Sequence, residues 1–78
     1  MGRTSRAIRT LDLPGLFSFF GLRAQLEVIE AHREAIASRF AHEVREIERL
    51  CRSLRERERF QLFREALRLA YDSAAAAR

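Results

Sequence analysis

The chain has 78 residues, a net charge of +4 and a single cysteine. That length gives one small domain with a marginal core, so multi-domain enzyme architectures are excluded and extra burial in an oligomer or larger complex is expected. One cysteine excludes an internal disulfide framework and points to a reducing, cytoplasmic setting, while the longest strongly apolar stretch, Leu13–Leu22, is about half of what a membrane-spanning helix needs.

Every basic residue is arginine, and the charge is uneven. Residues 1–11 carry Arg3, Arg6 and Arg9 with no acid, and residues 51–68 carry six arginines against three glutamates. The intervening 23–50 is near neutral, with five arginines and six glutamates.

In chain order, residues 1–12 read as a basic flexible arm, polar apart from Ile8 and Leu11. Its Arg- and Ser-rich start has the composition of a transit peptide. It fails the myristoylation pattern, because Arg6 stands where Ser or Thr is required. A short helix is expected over 13–20. Asp12 is its N-cap, Pro14 suits an early helical position, and Gly21 closes it by accepting a left-handed backbone. This segment folds back as an apolar plug or, in a second reading, lies in a membrane surface beside the basic arm.

A long amphipathic helix is expected over 22–52. Its apolar positions recur at three- and four-residue steps: Leu22, Leu26, Ile29, Ile36, Phe40, Val44, Ile47, Cys51 and Leu54. The one seven-residue step holds Arg33 where an apolar residue belongs, read as a stem with its guanidinium in water or as a register device. A seam this narrow, about 80° of the circumference, suits a coiled coil. At Ser53–Arg59 the pattern breaks phase, and Ser53 with Glu56 forms a capping box for a second helix over 54–76. The break is a turn or a phase shift within one continuous helix. The second helix carries a broad face of Phe60, Leu62, Phe63, Ala66, Leu67, Leu69, Ala70 and Tyr71, which calls for neighbours on two sides.

The chemistry-bearing residues are few. His32 and His42 lie ten apart, not the four that lets two histidines share a metal on one helix face. Cys51 sits on the apolar seam, and the three glycines form no phosphate loop. No cofactor, metal, catalytic group or small-molecule substrate is expected, and the chain reads as a non-enzyme. Leu62-Phe63-Arg64 followed by Leu67-Arg68 is similar to the Leu-Tyr-Arg signature of small mitochondrial helical adaptors. The likeness spans about seven residues and, unlike in that family, lies near the end of the chain. The resemblance implies an adaptor of the kind that serves respiratory-complex assembly and iron–sulfur transfer.

The expected fold is therefore all-α: a short N-terminal helical turn, a long helix and a second helix, forming an α-hairpin or bent coiled coil in an oligomeric bundle. The expected function is protein–protein interaction or assembly, with a homo-oligomer or a larger complex as partner. The interface residues are Phe17, Phe20, Leu26, Ile29, Ile36, Phe40, Val44, Ile47, Leu54, Phe60, Phe63 and Leu67. Two alternatives stand beside it. One is a peripheral membrane-surface protein using the basic arm and Leu13–Leu22. The other is a nucleic-acid binder using Arg45, Arg49, Arg52, Arg55 and Arg59 as a phosphate-tracking stripe, diluted by Glu48 and Glu56.

Overall fold

A computed structural model describes residues 2–76. Five helices follow one another: α1 (Arg3–Thr10), α2 (Leu13–Phe19), α3 (Leu26–Ala31), α4 (Arg33–Leu50) and α5 (Glu56–Ala76). There is no strand among the described residues.

The start of the chain is not a flexible arm. Thr4, Ala7, Ile8 and Leu11 recur at helical spacing, and α1 turns Thr4 and Ala7 fully inward while Arg3, Arg6 and Arg9 stay exposed. The first turn of α1 has no acid and no side-chain cap of its own. Glu56, from the far side of the sequence, supplies one: its Oε2 accepts from the Thr4 N–H at 3.0 Å and from the Thr4 hydroxyl at 2.5 Å. A side chain at Gly2 would collide with the same carboxylate.

Helix α2 is capped as its residues dictate. The Asp12 carboxylate accepts from the Gly15 N–H at 2.9 Å, and Pro14 sits in the first turn. At its end the Gly21 N–H bonds the Ser18 carbonyl and the Leu22 N–H bonds the Phe17 carbonyl, with Gly21 at φ 68°. This is a Schellman closure, which needs a left-handed residue. A Cβ at Gly21 would meet nothing within 4 Å, so the cost of a side chain there is backbone strain alone. Gly21→Ala is expected to lower stability by about 1 kcal/mol, read as a shifted urea midpoint with an unchanged slope.

The long helix expected over 22–52 is shorter and bent. Residues 22–25 are non-helical, and His32 (φ −123°, ψ 27°) separates α3 from α4. The bend falls in the seven-residue gap of the apolar seam. It leaves Ile29 and Ile36 buried while Arg33 stays outside and pairs with Glu30 at 2.8 Å. A charged stem on a buried seam is thereby avoided.

The helical path ends at Leu50 and resumes at Glu56, so the phase break at 53–59 contains a turn. Ser53 does not cap α5. Glu58 instead reaches back to the Arg55 N–H at 3.0 Å, which makes Arg55 the cap position, because Glu56 is engaged by α1. Beyond the turn the chain reverses: α5 packs along α4, with Arg39 near Ser73 and Phe20 between Phe40 and Phe60.

The core forms where these helices meet. Leu16, Phe17 and Phe20 from α2 and its C-cap join Ile36, Phe40 and Val44 from α4, and Phe63, Leu67 and Ala70 from α5. The Phe17 and Tyr71 rings meet edge to face at 5.4 Å, and the Tyr71 hydroxyl accepts from the Gln25 N–H at 3.0 Å. Arg64 donates to the Phe20 carbonyl at 2.9 Å, satisfying the C-terminal end of α2. The radius of gyration, 12.0 Å, is close to the roughly 11.5 Å of a compact domain of this length.

Candidate functional site

The structure places the expected interface residues mostly inside this one chain. Phe17, Phe20, Ile29, Ile36, Phe40, Val44, Phe63 and Leu67 are buried against one another, and Ile47, Leu54 and Phe60 are half-buried. Leu26 alone of that set is exposed, at 58%. The seam is covered because α1 and α2 are additional walls: the former arm and the apolar plug lie on the helices that would otherwise need another chain. The same packing turns Leu16, Phe17 and Phe20 of the Leu13–Leu22 segment inward and leaves Leu13, Phe19 and Leu22 half-buried. No helix among the described residues is long and apolar enough to cross a membrane.

The arginine stripe is broken by the turn. Arg45 and Arg49 are on α4, Arg52 is in the turn, Arg55 caps α5 and Arg59 is on α5, so the five do not share one continuous helix. Arg49 is paired with Glu46 at 2.8 Å. Arg68 is held by Glu65 and by Asp72. Glu46 and Glu65 titrate below the ordinary carboxylate range for this reason, through the hydrogen bonds from Arg49 and Arg68 respectively. These are solvated surface pairs and contribute little to stability.

His32 lies at the bend and His42 on the exposed side of α4, and Cys51 is a half-exposed free thiol in the turn. Among the described residues no group of three or more His, Cys, Asp or Glu converges. The Leu-Phe-Arg tripeptide has a structural role here: Phe63 is fully buried, and Arg64 holds the end of α2.

An apolar groove of about 500 Å³ lies between the α1–α2 corner and α4. Ile8, Leu11, Leu13 and Leu16 form one wall, and Phe40 and Val44 the other. Ala37 and Ala41 lie along it, both exposed, and Arg33 and Arg45 stand at its ends. Those four α4 residues are spaced four apart, so they form one ridge that winds about 40° around the helix at each step. From Arg33 to Arg45 the row runs roughly 18 Å, about three helical turns. The small alanines keep that side of the groove open, and the leucine wall makes the other side apolar.

Ile8, Leu11, Ala37 and Ala41 are absent from the expected interface. The signal for them was present in sequence as the Arg33-Ala37-Ala41-Arg45 row and as the helical spacing of Thr4, Ala7, Ile8 and Leu11. Neither row becomes a groove until α1 is laid beside α4. Comparison with models of known protein families, with curated proteins and with solved structures finds no match to this chain.

Proposed function

We propose that this protein is a small helical recognition module that takes an amphipathic helix of a partner protein into the groove between the α1–α2 corner and α4. The groove itself carries the reading: an open apolar trough about three turns long with small residues along one side and an arginine at each end. Helix-in-groove recognition uses anchors at helical spacing on the incoming segment, and the leucine wall matches such anchors. Arg45 makes no ion pair among the described residues, which favours a helix with an acid near one end. In this reading α4 and α5 are the two arms of an α-hairpin scaffold that α1 and α2 complete. The partner is a protein, either another chain of a larger complex or a second copy.

The experiment is site-specific photo-crosslinking with the probe placed at Ala41 or, as a control, at Ser38, which is exposed outside the groove. The expected result is a discrete protein adduct from position 41, lost when Ala37→Glu places a charge in the groove, with helical content unchanged by circular dichroism. An adduct of twice the chain mass identifies the second copy. Equal adducts from positions 38 and 41, both insensitive to Ala37→Glu, would refute the reading.

A further inference from the structure

The two basic stretches of the sequence are separated by a near-neutral middle, yet the fold docks one on the other. The Thr4–Glu56 hydrogen bonds set the first turn of α1 beside the first turn of α5. Two depressions follow that joint. One, of about 280 Å³, is lined by Arg3, Arg57, Phe19, Phe60 and Glu56. The other continues past Arg3 and Phe19 to Arg6. Arg3 and Phe19 line both, so the two depressions adjoin and make up a shallow, open channel along this joint.

Its chemistry is consistent along its length. Arg3, Arg6 and Arg57 are exposed and make no ion pair among the described residues. Phe19 and Phe60 are half-buried and meet edge to face at 5.6 Å, which leaves part of each ring at the channel surface. Glu56 is an acid in the channel, but one carboxylate oxygen is already engaged by both Thr4 donors. The nearby Glu58 is bonded to the Arg55 N–H. Both carboxylates keep their charge, yet Arg3, Arg6 and Arg57 outnumber Glu56 along the channel, so it stays basic.

We propose that this channel binds single-stranded nucleic acid, with phosphates on Arg3, Arg6 and Arg57 and a base against the Phe19–Phe60 pair. Guanidinium groups match phosphate oxygens in a two-pronged geometry, and aromatic rings take any unstacked base. A paired duplex cannot present a base to rings recessed between two helices. An anionic bilayer would call for several protruding apolar side chains beside the arginines; Phe19 and Phe60 are half-buried, and Leu11 at the rim is the one exposed large apolar residue lining the channel. The channel is distinct from the groove on α4, apart from sharing the Leu11 rim, so the two readings stand or fall separately.

The test is fluorescence anisotropy of the full chain with a labelled oligothymidylate about 12 nucleotides long, a length within the range that small single-strand sites cover. Three phosphate contacts predict a log–log salt slope of about −2. Replacing Arg3 and Arg57 together with Gln is expected to lower affinity roughly tenfold or more and to reduce that slope to about −0.7, while Arg49→Gln, on the paired face of α4, leaves both unchanged. Phe19→Leu retains apolar packing and is expected to cost roughly tenfold. Bromouracil-substituted oligonucleotide should crosslink to the unaltered chain at Phe19 or Phe60, which tests the base contact without any variant. Three results would overturn the proposal: no binding at low salt, competition by inorganic polyphosphate equal to that of the oligonucleotide, or crosslinks elsewhere on the chain. Phosphatidylserine vesicles binding with the same arginine dependence while the oligonucleotide does not bind would assign the channel to a membrane surface instead, and overturn it too.

Discussion

Phe63→Ala is expected to abolish cooperative folding. Phe63 is fully buried at the centre of the core, among residues from α2, α4 and α5. Removing a buried phenylalanine ring costs about 3–5 kcal/mol, through lost transfer energy and the cavity left behind. A single core in a chain this short rarely supplies more than about 3–5 kcal/mol in total. The substitution therefore removes most or all of the folding free energy. In urea titrations followed by circular dichroism, the variant should show no native baseline at 25 °C. The half-buried Phe60 gives the contrast, since Phe60→Ala loses less buried area and should retain a transition at a lower midpoint. A Phe63→Ala protein melting within a few degrees of the unaltered chain would contradict this account of the core.

Glu56→Ala is expected to release α1. Thr4 is completely buried, and its hydroxyl and N–H both donate to the Glu56 carboxylate. Without that acceptor, two donors at the start of α1 lose their partner, at a cost of about 1–3 kcal/mol. The loss is local, because only α1 depends on this bond for its first turn. Its signature is faster tryptic cleavage after Arg6 and Arg9, by roughly ten- to a hundredfold if opening limits access. Cleavage within α5 should change far less.

The same contact makes α1 sensitive to acid. The hydrogen bonds from the Thr4 hydroxyl and N–H, with smaller contributions from the Arg59 and Arg3 charges, hold the Glu56 carboxyl below its ordinary value of 4.5. A carboxyl lowered by folding contributes stability that is complete above its unfolded value and is lost as pH falls through the folded one. The protection of α1 should therefore be flat above about pH 5 and decline below 4.5 in the unaltered chain. In Glu56→Ala this decline at α1 should be absent. An identical acid profile in both proteins would show that other carboxylates set it.

Much of the local structure was legible in the residues. The Asp12 cap, the early Pro14 and the left-handed Gly21 are short-range features, each satisfied within five residues of chain, and they define α2. The three- and four-residue spacing of Ile36, Phe40 and Val44 likewise marks the inward face of α4. The same residues appeared as an interface, however, because a periodic pattern shows that a face is buried without showing what buries it. The main cover of α4 proved to be α5, with α1 and α2 closing the core around them, and α1 looked like an arm because its arginines dominate its composition. Its buried face is small, Thr4 and Ala7 with Ile8 beside them, and carries little hydropathy.

By itself, then, the sequence determined the helical class, the capping of α2 and the apolar faces, since these depend on backbone preference and on spacing within a few turns. Only the tertiary structure decided the rest. The helix bends at His32 because Arg33 cannot be buried on the seam, and α5 begins at Glu56 rather than near Ser53. Glu56 bonds a threonine fifty-two residues away, the groove exists only because the α1–α2 corner faces α4, and the basic channel only because α1 docks on α5. Each of these rests on a contact between distant parts of the chain. Such contacts follow from how faces are covered and how buried donors are satisfied, and no local spacing encodes them.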